Sequence, residues 1–140
     1  RDDVDARSLA NNYAQILGQI FTHEMKPMEV EILVAEVGHT AADDQLFHIL
    51  YDGTVVDERQ FSVLGGDAEA IGSRLATSHN ESQTLEQAIT VGTAALGGPD
   101  RSLAAVDLEV AVLSRLNGRR CFKRLSDEAV AVALAAGSNA

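Results

Sequence analysis

A chain of 140 residues can bury one hydrophobic core but not two independent ones, so a single domain spanning residues 1–140 is expected. Eleven basic against twenty-one acidic residues give a formal charge of −10, which repels nucleic-acid phosphates and anionic membrane surfaces and argues against either as a partner. With 4% aromatics and no tryptophan the core falls to Leu, Ile, Val and Ala, and no apolar run approaches the ~20 residues of a membrane helix.

From Val4 to Met25 the residues Leu9, Tyr13, Ile16, Leu17, Ile20 and Phe21 recur at helical spacing, behind Asp2, Asp3 and Asp5, which suit a helix N-terminus. An amphipathic helix that stops before Pro27 is predicted. Val30, Ile32 and Val34 then alternate with their neighbours, predicting a strand from about Met28 to Gly38, with His39 to Gln45 as its polar turn. Strands at about Leu46–Tyr51 and Thr54–Leu64 flank Asp52-Gly53, a pair that tolerates the positive φ angles of a two-residue hairpin turn.

After Gly65-Gly66, Ala68, Ile71 and Leu75 mark one helical face, and Leu85, Ala88, Ile89, Gly92, Ala95 and Leu96 mark another behind the Thr84/Gln87 capping-box spacing. Gly72 and Gly92 are expected to let these two helices approach closely. Gly97 to Ser102 is a breaker cluster, and Leu108 to Leu113 alternates as a strand. Asn117-Gly118 signals a second hairpin, whose partner strand is Arg120 to Leu125. Ser126 caps a last helix, Asp127 to Ala136, which Gly137 terminates.

Strands grouped between helices imply an α+β fold with antiparallel sheets. A three-strand meander and a separate hairpin are too few strands for two well-filled sheets, so N-terminal strands are expected to be missing from this stretch.

Motifs for chemistry are thin. Gly65-Gly66 before a helix lacks any Gly-x-Gly-x-x-Gly or Lys-Ser/Thr pair, and Asp67 would repel a phosphate there, so a structural turn outweighs an anion site. That turn is expected to use glycine for a positive φ and close backbone packing. His23, His39, His48 and His79 show no paired ligand spacing and read as solvated surface residues; no metal site is expected. Asp43, Asp44, Asp57 and Glu58 read as turn carboxylates that solvate a surface. Cys121, the lone cysteine, has basic neighbours Arg119, Arg120, Lys123 and Arg124 that could activate a thiol, but no identifiable base, so a half-buried strand thiol outweighs a nucleophile. Without a second cysteine the chain fits a reducing, cytoplasmic setting. The basic cluster suits a neighbouring acidic subunit.

Several segments together resemble the proteasome subunit family. Lys26-Pro27-Met28-Glu29-Val30, Leu50-Tyr51-Asp52-Gly53 and Val63-Leu64-Gly65-Gly66 fall in the family's order. Leu9-Ala10-Asn11, Tyr13-Ala14-Gln15, Glu29-Val30-Glu31, Val34-Ala35-Glu36-Val37, Leu108 to Leu113 and Arg119-Arg120 are similar to its actinobacterial 20S α type. The resemblance runs from Asp3 to about Ala136 and covers only the later part of such a subunit.

What it implies is a four-layer αββα sandwich of the N-terminal-nucleophile hydrolase type, in a non-catalytic subunit without cofactor. Seven such subunits would form a ring that contacts proteasome β subunits and a ring-shaped ATPase activator, while unfolded substrates pass through. The alternative is a catalytic β-type threonine peptidase subunit, whose terminal amine is the base. Gly65-Gly66-Asp67-Ala68 lacks the serine that catalytic subunits carry there, which favours the α type. A seven-fold ring needs heterologous contacts. Candidates are Leu9, Tyr13, Ile16 and Ile20 on the first helix, and the Gly97–Ser102 loop.

Overall fold

In the computed structural model, residues 4–26, 28–118 and 120–138 are described. The first helix, α1 (Ala6–His23), begins where Asp5 Oδ1 accepts the Ser8 amide at 2.7 Å, satisfying a donor that every helix start leaves open. That bond holds the Asp5 carboxyl below its ordinary value. Glu36 Oε2 accepts the Ala6 amide at 2.7 Å and ties the helix start to the first strand. The helix closes three residues before Lys26; Pro27, the expected stop, lies outside the described residues.

Strands β1 (Ile32–Glu36), β2 (Gln45–Ile49) and β3 (Val55–Glu58) form an antiparallel sheet in the order β1-β2-β3. Val34 faces Phe47, and Ile49 lies between Ile32 and Val55. Side chains alternate along a strand, so Val34, Phe47 and Ile49 share one face, buried against Ala6, Ala10 and Leu17 of α1. The strands are shorter than the pattern predicts. A ladder needs partners on the next strand, and five-residue β2 sets the limit; residues 28–31 and 59–64 are outside it.

The turn after β2 also differs. Three residues, Tyr51, Asp52 and Gly53, bridge Leu50 and Thr54, whose amide and carbonyl bond at 2.9 Å, while the Gly53 amide donates to Leu50 O at 3.0 Å. Only Gly53 takes a positive φ, +88°, so this is the three-residue loop with one left-handed glycine rather than the two-residue turn. Asp52 Oδ1 accepts the Thr54 amide at 2.8 Å, which lowers its carboxyl from the ordinary range. A Cβ on Gly53 would lie 2.5 Å from Ala14 O and 2.9 Å from Gly18 Cα: the turn is pressed against the helix backbone.

The chain divides into two units, Arg1–Ser62 and Val63–Ala140. In the second, α2 (Ala68–Ser78) follows Gly65, whose φ of +113° fits the expected turn, but a Cβ at Gly65 or Gly66 would meet nothing within 4 Å. The expected close packing there is absent. So is the close approach at Gly72 and Gly92, which likewise face open space; α2 is joined to α3 (Leu85–Gly97) instead through Arg74 Nε, which donates to Ala95 O at 2.8 Å.

Thr84 and Gln87 do form a capping box, with Thr84 Oγ1 accepting the Gln87 amide at 3.3 Å and Gln87 Oε1 accepting the Thr84 amide at 2.9 Å. Strands β4 (Ala111–Leu113) and β5 (Phe122–Arg124) pair antiparallel, with Leu113 facing Phe122. Their connection is again longer than two residues: a 3₁₀ turn, Arg115–Asn117, runs into Gly118 at φ +56°. Ser126 Oγ accepts the Ala129 amide at 3.3 Å to start α4 (Asp127–Gly137). Ile89, Ala105, Val130 and Ala133 are the buried core of this unit. Gly137 does not end α4 by a left-handed turn but lies within it, where a Cβ would strike Thr90 Oγ1 and stand 2.6 Å from Glu86 O. Here is the close helix approach, placed between α3 and α4.

Candidate interaction surface

An amphipathic helix needs one apolar stripe; α1 carries two. The stripe on the sheet is made mainly of small residues, Ala6, Ala10 and Ala14, with Leu17 at its end. Short side chains let the backbone sit close, as the Gly18–Gly53 contact shows. The larger residues that mark the helix in sequence lie elsewhere. Leu9, Tyr13 and Ile16 are 38%, 40% and 52% exposed, at i, i+4 and i+7, which places them along one helical face. Ile20, four residues on, is half-buried. All four residues singled out from sequence thus follow one line down α1, three of them open and the fourth partly covered.

Phe21 stands beside this line and meets Tyr51 of the hairpin edge to face, centroids 5.7 Å apart at 64°. Arg7 lies over the Phe47 ring at 5.0 Å and reaches Asp57 at 3.7 Å. Both partners of that ion pair are more than half exposed, so it contributes little. An apolar stripe left open beside a satisfied core face is the mark of a surface made to be covered. The Gly97–Ser102 segment begins as the end of α3, with Gly98 at φ +64° against the Arg74 guanidinium; Pro99 to Ser102 are exposed.

The candidates for chemistry do not converge. Cys121 is half-buried, and no hydrogen bond reaches its thiol among the described residues. Among those residues no three His, Cys, Asp or Glu side chains are placed to hold a metal. Several polar residues differ from the sequence expectation. His48 is not a solvated histidine: its side chain is 12% exposed, with Nε2 at 2.7 Å from Glu31 Oε2 and Nδ1 at 3.9 Å from Glu58 Oε1. Strand alternation put it on the sheet face opposite Phe47, a position that single-residue spacing of histidines does not reveal. His79 is half-buried as the cap of α2.

Asp57 and Glu58 are in β3, not in a turn. Asp43 and Asp44 do lie in one, but as structural acceptors: Asp43 Oδ2 takes the Thr40 amide at 3.1 Å and Asp44 Oδ1 the Gly38 amide at 2.9 Å. No described helix is long and apolar enough to cross a membrane.

No family model matches the chain. Curated relatives do. A protein of Acidimicrobium ferrooxidans named proteasome subunit alpha is 56% identical over 96% of this chain and 58% of its own length. By sequence, this chain is a homologue of proteasome α subunits. Proteins of the same name from Parafrankia sp. and Salinispora tropica are 52% and 45% identical, over 89% and 100% of this chain and 55% and 56% of theirs. The chain therefore spans little more than half the length of the α subunits it matches. The α-type name agrees with the missing serine beside Gly65-Gly66 and goes against the β-type alternative.

Proposed function

We propose that these residues form the later part of a non-catalytic α-ring subunit of a 20S proteasome core particle. In this reading, residues 1–140 belong to one domain of the αββα, N-terminal-nucleophile hydrolase type, completed by strands outside the stretch. Seven copies form the outer ring, which meets proteasome β subunits on one side and a ring-shaped ATPase activator on the other. Unfolded substrates enter through it, in the cytoplasm, and the subunit itself breaks no bond. The observation that carries the proposal is identity of 45–56% to proteins named proteasome subunit alpha.

The line of exposed Leu9, Tyr13 and Ile16, continued by half-buried Ile20, fits such a role because a ring contact must bury apolar surface that the subunit's own core does not use. The test is co-expression of the full-length protein with its β-type partner, followed by native mass spectrometry. Seven-membered rings are expected with the native sequence, and none with Tyr13→Asp or Ile16→Asp. Because neither side chain is part of the buried core, either substitution should lower the melting midpoint of the subunit without unfolding it. Rings that persist in both variants would remove α1 from the contact, and a native protein that never associates would overturn the ring reading.

A further inference from the structure

Five asparagines occur in the chain, and only Asn117 is followed by glycine. An asparagine is attacked from within when the next backbone nitrogen reaches its side-chain amide carbon, an approach that the Cβ of the next residue ordinarily obstructs. Asn11, Asn12, Asn80 and Asn139 are each followed by a residue that carries one. The backbone around Asn117 is also weakly held. Asn117 and Gly118 are exposed, and the single 3₁₀ turn Arg115–Asn117 ends with the Gly118 amide donating to Arg115 O at 3.4 Å, longer than the usual hydrogen bond. A further strand would pair along an edge of β4 or β5, whereas this connection lies past their last rung, Leu113 with Phe122.

The chain's one Asp-Gly pair, open in principle to the same ring closure, is held shut. The Gly53 amide donates to Leu50 O at 3.0 Å, the Asp52 carboxylate accepts the Thr54 amide at 2.8 Å, and Gly53 is pressed against the backbone of Ala14 and Gly18. We propose that Asn117 is a site of spontaneous covalent modification. The Gly118 nitrogen attacks Asn117 Cγ, a C–N bond forms, and ammonia leaves with the nitrogen's proton, giving a cyclic imide. Water then opens either carbonyl to aspartate or isoaspartate, so a neutral amide becomes a carboxylate and nothing is oxidised or reduced. Between Glu109 and Asp127 the chain holds five basic residues and no acidic one, with Arg115, Arg119 and Arg120 within three residues of Asn117. Such cations favour both the deprotonated nitrogen that attacks and the carboxylate that results. The product lowers the hairpin's positive charge by one. Isoaspartate also adds a methylene to the backbone beside the bond from the Ser114 amide to Cys121 O, 2.9 Å in the native hairpin.

Nothing in this chemistry depends on the ring reading. The test is peptide mapping by mass spectrometry of full-length protein aged at neutral pH, folded and in urea. In the folded protein Asn117 should gain about 1 Da at least about tenfold faster than Asn11, Asn12 or Asn80, with isoaspartate among the products. Folding should slow isomerisation of Asp52 at least about tenfold and the change at Asn117 by less. Gly118→Ala should slow the gain about tenfold; because alanine is strained at φ +56°, Asn117→Gln is the second variant, and its peptide should keep its mass. The Ser114 amide should lose exchange protection as isoaspartate accumulates. Native Asn117 that keeps its mass, or that folding protects as strongly as Asp52, overturns the proposal. Aspartate without isoaspartate overturns it too, since direct hydrolysis would then be the route.

Discussion

The two units are built from the same materials, helices over antiparallel strands, yet their cores differ in kind. The first closes around Phe47 and Ile49, the middle of a three-strand sheet, against alanines of α1. The second has no buried aromatic: Ile89, Ala105, Val130 and Ala133 pack where α3 and α4 meet. One core has an aromatic ring at its centre, while the buried residues of the other are all aliphatic. Substitution should expose that difference.

The largest effect is expected at Phe47, which is 2% exposed; Phe47→Ala should cost about 3–5 kcal/mol, the removed ring plus the cavity it leaves. Val130→Ala, at 1% exposed, removes two methyl groups and should cost about 2 kcal/mol. Urea denaturation gives both values, and amide hydrogen exchange locates them. Phe47→Ala should deprotect β1–β3 more than α3 and α4, and Val130→Ala the reverse. Equal deprotection of both units in either variant would mean that the cores are one cooperative structure and that the contrast fails.

Glycines sharpen the comparison. Gly53→Ala meets two obstacles, a φ of +88° and helix backbone at 2.5–2.9 Å, and is expected to cost about 2–4 kcal/mol. Gly137→Ala meets only the second, with the Thr90 hydroxyl and Glu86 carbonyl in the way, and should cost about 1–2 kcal/mol after the gain in helix propensity. Thermal melts of the two variants check the order. A smaller loss at Gly53 than at Gly137 would show that the α1–hairpin contact relaxes more easily than the helix pair.

These glycines also show where sequence reading succeeds and stops. The element order, both strand groups and the Thr84 and Ser126 caps are legible because hydrophobic period and side-chain hydrogen bonds are local. Asp52-Gly53 and Asn117-Gly118 mark turns correctly, but the length of each loop depends on ladder register, which is not local. Gly72 and Gly92 looked like contact glycines because they lie mid-helix; the actual contact, at Gly137, is set by which faces meet. For the candidate surface, Leu9, Tyr13 and Ile16 are legible as a stripe, and the family resemblance makes them contact candidates, but periodicity alone does not show that the stripe faces outward. That requires seeing that Ala6, Ala10 and Ala14 take the inward side.

A smaller effect separates the caps. Thr84→Ala removes an acceptor for the Gln87 amide and should cost about 1 kcal/mol, as should Ser126→Ala at α4. Both fall in the second unit, whose helices meet each other, so either loss should fray α3 or α4 from its N-terminus without touching the sheet of the first. Exchange of the first-turn amides reads this directly; protection lost in β1–β3 instead would contradict it.

The smallest expected effect is a difference in acid sensitivity. Asp5 and Asp52, in the first unit, are held below an ordinary value of 3.8 by amides of Ser8 and Thr54. Glu86 and Glu128, in the second, are held below 4.5 by their own backbone amides and then by Thr84 and Ser126. For a carboxyl lowered by folding, the stabilisation is complete above the unfolded value and disappears as pH falls through the folded one. The starts of α3 and α4 should therefore begin to lose protection just below pH 4.5, and the start of α1 only below 3.8. Asp5→Asn retains an acceptor for the Ser8 amide but not the titrating charge, so it should flatten the acid response of α1 while leaving those of α3 and α4 as they were. A native-like acid response of α1 in that variant would show that Asp5 is not its source.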